Sequence, residues 1–217
     1  MTPLVVVVTD RVQAGGRGLV PTVAAALAGG AGAVLLRDKD LPRRERRALA
    51  GELRALTAGH GAVLVVAGDA GLARAVGADG VHLAAADAWP AGGDLAGLAI
   101  VGRSCHTVAD LAGAQARGAT WATYSPVYET ASKPGYGPAL GIAGLAAGCR
   151  AVPGLPVVAL GGIGPGRARP CVAGGAAGVA LMGAVMRSPD PGGVVRAVVD
   201  ELGAAAVARP GPSGARR

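Results

Sequence analysis

Short runs of β-branched and aliphatic residues recur along the chain, separated by longer stretches whose apolar residues return at helical spacing. Eight such runs can be read: LVVVV (residues 4–8), AVLLR (33–37), AVLVVA (62–67), GVHLA (80–84), AIVGRS (99–104), WATYSPV (121–127), VVALGG (157–162) and GVALMG (178–183). They are continuously apolar rather than alternating, the pattern of strands covered on both faces of a parallel sheet. The intervening pieces, such as LPRRERRALAGELRALTA and TVADLAGAQARG, have one apolar face, and several finish on Gly, which accepts the left-handed C-cap conformation. Eight strand–helix units predict an α/β protein with a single (β/α)8 TIM barrel over residues 1–207, followed by a flexible basic tail at 208–217. The competing doubly wound sheet lacks its signature, since no G-x-G-x-x-G opens the first helix.

Composition narrows this picture. The chain has 217 residues, no Phe and 2% aromatics, so its core must be built from Ala, Val and Leu. Its 38 glycines are spread between the periodic runs, which indicates many turns rather than a low-complexity segment. The net charge of +7 raises the question of nucleic acid. Arg43, Arg44, Arg46 and Arg47 share one helix with Glu45 and Glu52, and Arg209, Arg216 and Arg217 sit in the tail, so no basic stripe with interleaved aromatics forms. A solvated helix face and no nucleic-acid partner are expected. Cys105, Cys149 and Cys171 lack metal-ligand spacing and leave an odd thiol, which fits a reducing cytoplasm. No apolar segment reaches the ~20 residues that span a bilayer, and no basic stretch precedes the first run, so a cytoplasmic protein without membrane contact is expected.

A barrel of this kind gathers its functional groups at the carboxyl ends of the strands. Those ends carry Thr9, Asp10 and Arg11, then Arg37, Asp38 and Lys39, Gly68 and Asp69, Asp87, Arg103, Ser104 and His106, Ser125, Gly161 and Gly162, and finally Met182 and Gly183. The glycines in LGGIGPGRA and LMGA let backbone amides approach a phosphate, or serve only as tight turns. Arg37 and Lys39, two apart on an extended end, project to one side, where they can hold an anion or pair with acids of the rim. The loop YETASKPGYGP is long and rich in hydroxyls, so Thr130, Ser132 and Lys133 can close over a ligand and Tyr128 can stack on it. His106 either caps the following helix or satisfies a loop carbonyl, or it is a general acid/base suited to neutral pH. His82 reads as structural and His60 as a surface turn residue.

Taken together and in order, LLRDKDL, GADGVHL, VGRSCHT, SPVYETASKPGYGPALG, VVALGGI and GVALMGA resemble the family of thiamine phosphate synthase and thiazole tautomerase, over about residues 4 to 200. The resemblance implies a (β/α)8 barrel that binds a thiazole phosphate. It matches Arg37 and Lys39 to an Arg-x-Lys preceded by a Gln, whose place is assigned to Leu36. Asp87 matches a metal carboxylate and Ser104 a pyrimidine-site serine. Thr130, Ser132 and Lys133 match a pyrophosphate-holding loop. Ala67, Gly68 and Asp69 stand where the synthase has Asn-Asp-Arg, and Met182 and Gly183 where it has Val-Ser. Because a metal-binding Asp is thereby a glycine, the expectation is a metal-independent tautomerase-like isomerase. In it His106 relays the proton, Arg37 and Lys39 engage the carboxylate, and Gly161, Gly162 and Gly183 hold phosphate. The alternatives are a divergent synthase using Mg2+ at Asp87 and Asp69, and a non-catalytic phosphate-ligand binder. A homo-oligomer is compatible with all three.

Overall fold

The computed structural model describes residues 5–91, 93–130 and 139–207, with side chains as far as residue 203. Eight parallel strands close into a barrel in sequence order. They are β1 (Val5–Val8), β2 (Ala33–Leu36), β3 (Val63–Ala67), β4 (Gly80–Leu83), β5 (Ile100–Cys105), β6 (Trp121–Tyr124), β7 (Val157–Leu160) and β8 (Gly178–Leu181). Closure is made by β1 against β8, with Val6 opposite Ala180. All eight expected strands are present. Around them lie α1 (Arg11–Ala14), α2 (Leu19–Ala28), α3 (Arg43–Gly59), α4 (Ala70–Ala75), α5 (Val108–Ala116), α6 (Gly141–Ala151), α7 (Ala168–Ala173), α8 (Gly183–Met186) and α9 (Pro191–Val207). None of the described helices is long and apolar enough to cross a membrane.

The continuous apolar runs have a two-sided explanation. Val6, Val8, Ala33, Leu35, Val65, Ala67, Trp121, Val158 and Ala180 fill the barrel interior, whereas Val5, Val7, Val34, Leu36, Leu64, Val66, Val179 and Leu181 pack outward against the helices. Successive strand residues face opposite ways, so each run must be apolar at both parities. The interior holds two large rings, His82 and Trp121, with centroids 4.8 Å apart. They fit because the neighbouring strand position is Gly102, where a Cβ would run into both of them. The three cysteines are free thiols, with Cys105 and Cys171 buried.

The Arg-rich helix departs from expectation. Arg46 is buried rather than solvated, and its Nη2 donates to the carbonyl of Ala67 at 2.6 Å. Burial lowers its pKa against the favourable pull of Asp69 and Asp38. The face of α3 that covers β3 therefore needs one donor for a carbonyl at the strand end, and a helical pattern alone does not mark which arginine supplies it.

Candidate active site

A cavity of about 690 Å³ opens at the carboxyl ends of the strands. Arg37, Lys39, Ser104, His106, Thr130, Gly161, Gly162 and Gly183 all line it. Ser132 and Lys133 lie outside the described residues.

On the β2–β4 side, Thr9 and Asp38 set the positions of the cations. Buried Asp38 accepts from the Thr9 hydroxyl at 2.6 Å and from the Arg11 amide at 2.8 Å, while Thr9 Oγ1 accepts from the Arg37 amide at 2.8 Å. With Asp38 buried on the face away from the cavity and held there, Arg37 and Lys39 are left exposed at the mouth. Lys39 Nζ lies 3.4 Å from Asp87 Oδ2, which also accepts from the Ala84 amide at 2.7 Å. Arg103 shapes this loop from below, donating to the carbonyls of Asp87 (2.7 Å) and Ala85 (2.8 Å). Gly68 has φ +68°, and a Cβ there would stand 2.7 Å from Lys39 Nζ.

Asp69 does not join Asp87. It caps α4, accepting from the Leu72 amide at 2.7 Å, and its other oxygen lies 3.8 Å from Arg46 Nη1. Among the described residues, no group of three or more His, Cys, Asp or Glu side chains could hold a metal ion. Asp69 is thus committed to the helix cap and to Arg46 rather than to a carboxylate pair with Asp87. Asp87 alone fits an ion that a phosphate ligand brings with it, since Mg2+ commonly takes one or two carboxylates plus phosphate oxygens.

The floor of the cavity is more apolar than its rim. The strand position two residues before Arg37, where the Arg-x-Lys pattern has its Gln, is Leu35, which lines the cavity with Val8, Ala67, Leu160 and Ala180. Leu36, assigned to that place from sequence, is instead buried against the helices. His82 also reaches the cavity. Its Nε2 lies 3.0 Å from Ser104 Oγ, so a residue read as structural is the immediate neighbour of a candidate ligand group. Burial, then the charges of Lys39 and Arg103, push its pKa down to about 3, so the ring is neutral.

His106 does not cap α5. That task falls to Thr107 and Asp110, which form a capping box, Asp110 also accepting from the His106 amide at 2.9 Å. The imidazole turns toward β6, and Nδ1 is 2.8 Å from the carbonyl of Ser125, an arrangement in which Nδ1 must be the protonated nitrogen.

On the opposite side, Gly161 (φ +103°) and Gly162 (φ +65°) allow the β6 and β7 loops to touch. A Cβ at Gly161 would stand 2.7 Å from Pro126 Cα, and one at Gly162 2.8 Å from Tyr128 Cβ. Tight packing thus accounts for both glycines whether or not an anion binds. Tyr128 does not line the cavity. The Arg167 guanidinium lies 5.0 Å from its ring centroid and donates to the Gly162 carbonyl at 2.9 Å. Arg167, Arg187, Gln13 and Asp10 all line the cavity without having been marked as ligands. Arg167 and Arg187 follow their strands at some distance, so strand-end position did not flag them.

The sequence profile described as thiamine monophosphate synthase matches residues 4–185. The chain belongs to that family. A Geobacter sulfurreducens protein, provisionally named a thiamine-phosphate synthase, is 45% identical over 195 residues, covering 88% of this chain and 91% of its own. The thiamine-phosphate synthase of Roseiflexus castenholzii is 42% identical over 199 residues, covering 91% and 87%. Among solved structures, thiamine phosphate pyrophosphorylase from Pyrococcus furiosus superposes with TM-score 0.82 at 30% identity, covering 92% of this chain and 95% of that one.

These relatives overturn the tautomerase expectation. It weighed a few local differences, chiefly Gly68 and the VYET loop, above similarity along the whole barrel, and the relatives at 42–45% identity bear the synthase name. The proton-relay role of His106 and the carboxylate role of Arg37 and Lys39 belonged to that reading and fall with it.

Proposed function

We propose that the protein is a transferase of thiamine biosynthesis that joins hydroxymethylpyrimidine pyrophosphate to a thiazole phosphate. The observation that carries this reading is a pair of features facing each other across one cavity. Arg37 and Lys39 stand on the β2–β4 side, and the glycine loops with Arg167 and Arg187 stand on the β7–β8 side. A reaction that joins two phosphorylated substrates needs two such places in one cavity.

In the reaction, the bond between the pyrimidine methylene carbon and the pyrophosphate oxygen breaks, and its electron pair leaves with pyrophosphate. The lone pair of the thiazole ring nitrogen forms the new C–N bond. No proton is removed, so no side chain has to act as a base. Arg37 and Lys39 hold the pyrophosphate and offset charge as it leaves, with Thr130, Ser132 and Lys133 from the β6 loop. Ser104, steadied by the neutral His82, contacts the heterocycle. Gly161, Gly162 and Gly183 present backbone to the thiazole phosphate. His106 holds the Ser125 carbonyl and so the start of the β6 loop. Asp87 would hold Mg2+ that enters with pyrophosphate, and the ion would supply further charge neutralisation.

The test is incubation of the purified protein with both substrates, with and without EDTA, followed by mass spectrometry. Thiamine phosphate and pyrophosphate are the expected products. Binding of the thiazole phosphate with no product under any metal condition would sink the transferase and leave a phosphate-ligand binder.

A further inference from the structure

The β7–β8 side of the cavity contains a cation whose geometry is that of a ligand group. Arg187 follows the short helix α8, and its guanidinium lies directly over Gly183. A Cβ on that glycine would stand 2.5 Å from Nη1, 2.6 Å from Nη2 and 2.8 Å from Cζ. Any side chain at position 183 would displace it.

The group is also anchored from the far side. Nη1 donates to Gln13 Oε1. Gln13 is held in turn by Asp10, which accepts from its side-chain amide at 2.6 Å and from its backbone amide at 3.0 Å. The chain Asp10–Gln13–Arg187 thus links the end of β1 to the end of β8. The anchor is a neutral amide, so it orients the guanidinium without cancelling its charge. None of the ion pairs among the described residues involves Arg187. Arg187 and Gly183 line the same cavity as Gly161, Gly162 and Gly164. A planar fork fixed through one nitrogen, uncompensated in charge and facing glycine backbone is suited to bidentate contact with phosphate oxygens.

We propose that Arg187 is a ligand of the phosphate monoester, lying over Gly183 and oriented by Gln13, and that it discriminates this substrate from the pyrophosphate ester held by Arg37 and Lys39. Naming that monoester as the thiazole phosphate rests on the transferase reading. The anion site itself does not.

Calorimetric titrations of single ligands test it. Thiazole phosphate, inorganic phosphate and hydroxymethylpyrimidine pyrophosphate are each titrated into wild type, Arg187→Gln, Arg187→Lys, Gly183→Ala and the double variant Gly183→Ala with Arg187→Gln. Arg187→Gln is expected to weaken thiazole phosphate and inorganic phosphate about tenfold or more, the scale of a lost charge-assisted hydrogen bond. The pyrophosphate ester should be unaffected, and Arg187→Lys should fall between. Gly183→Ala should weaken the monoester in the wild-type background and add nothing to Arg187→Gln, because both remove the same placed guanidinium. Unchanged monoester affinity in Arg187→Gln, or an equal loss for both esters, overturns the proposal. The latter result would show that the arginine only ties β1 to β8. Because each ligand is titrated alone, a protein that makes no product still reports on Arg187, so the two readings fail separately.

Discussion

The Lys39 ammonium reaches Asp87 at 3.4 Å through the space above Gly68, where a Cβ would stand 2.7 Å from the nitrogen. A cation tip therefore stands beside a glycine where the synthase pattern has a metal-binding carboxylate. The same device recurs across the cavity at Gly183 and Arg187. In both places the lack of a side chain leaves room for a cation from another position.

Lys39→Ala should raise KM for the pyrophosphate substrate about 10- to 100-fold, as expected for a lost charge-assisted contact. Gly68→Ala should act in the same direction, since the new methyl meets the ammonium and φ +68° strains any Cβ-bearing residue. Steady-state kinetics with each substrate varied in turn checks both. An effect on the thiazole phosphate instead would misplace the pyrophosphate.

At His106 the two roles predict different series. If the imidazole serves only to donate to the Ser125 carbonyl, His106→Asn keeps a donor and should retain more activity than His106→Ala. A proton-transfer role would leave both variants equally inactive. Comparing kcat for the two variants decides it.

Asp38 sets the cation pair from beneath, receiving the Thr9 hydroxyl and the Arg11 amide. Asp38→Ala strands the buried Thr9 hydroxyl and removes the acceptor of the part-buried Arg11 amide, and should lower stability by about 1–3 kcal/mol. Urea unfolding measures this. Because the Arg37 amide is tied to Thr9, KM for the pyrophosphate substrate should rise as well.

Acid should destabilise the fold through His82. The native imidazole stays neutral down to about pH 3, whereas in the unfolded chain it takes up a proton near 6.5. Between these values the unfolded state binds more protons, so stability is full above about pH 6.5 and falls as pH drops toward 3, by at most about 1.4 kcal/mol per pH unit. Denaturant melts at pH 7 and pH 5 should differ in wild type and differ less in His82→Gln.

The barrel was legible because burial on two faces forces continuous apolar strands, and eight of them with helices between admit few closures. The positions at strand ends followed from that ring, which is why Arg37, Lys39, Ser104 and His106 were found at the mouth. What those groups do was less legible. A local pattern around Gly68 suggested an isomerase, whereas similarity along the whole chain pointed to a synthase. Single positions can drift while the surrounding barrel keeps its lineage.

Sequence alone thus determined the architecture, the end of the barrel where the cavity opens and the family. Tertiary structure decided which side chains share the cavity: that Asp69 turns away to cap α4, that Arg46 is buried, that His82 stands beside Ser104 and that Arg187 lies over Gly183. Periodicity reports which face of an element is buried. The direction taken by a long polar side chain depends on partners many residues distant, as Arg187 depends on Gln13, and no local pattern encodes that pairing.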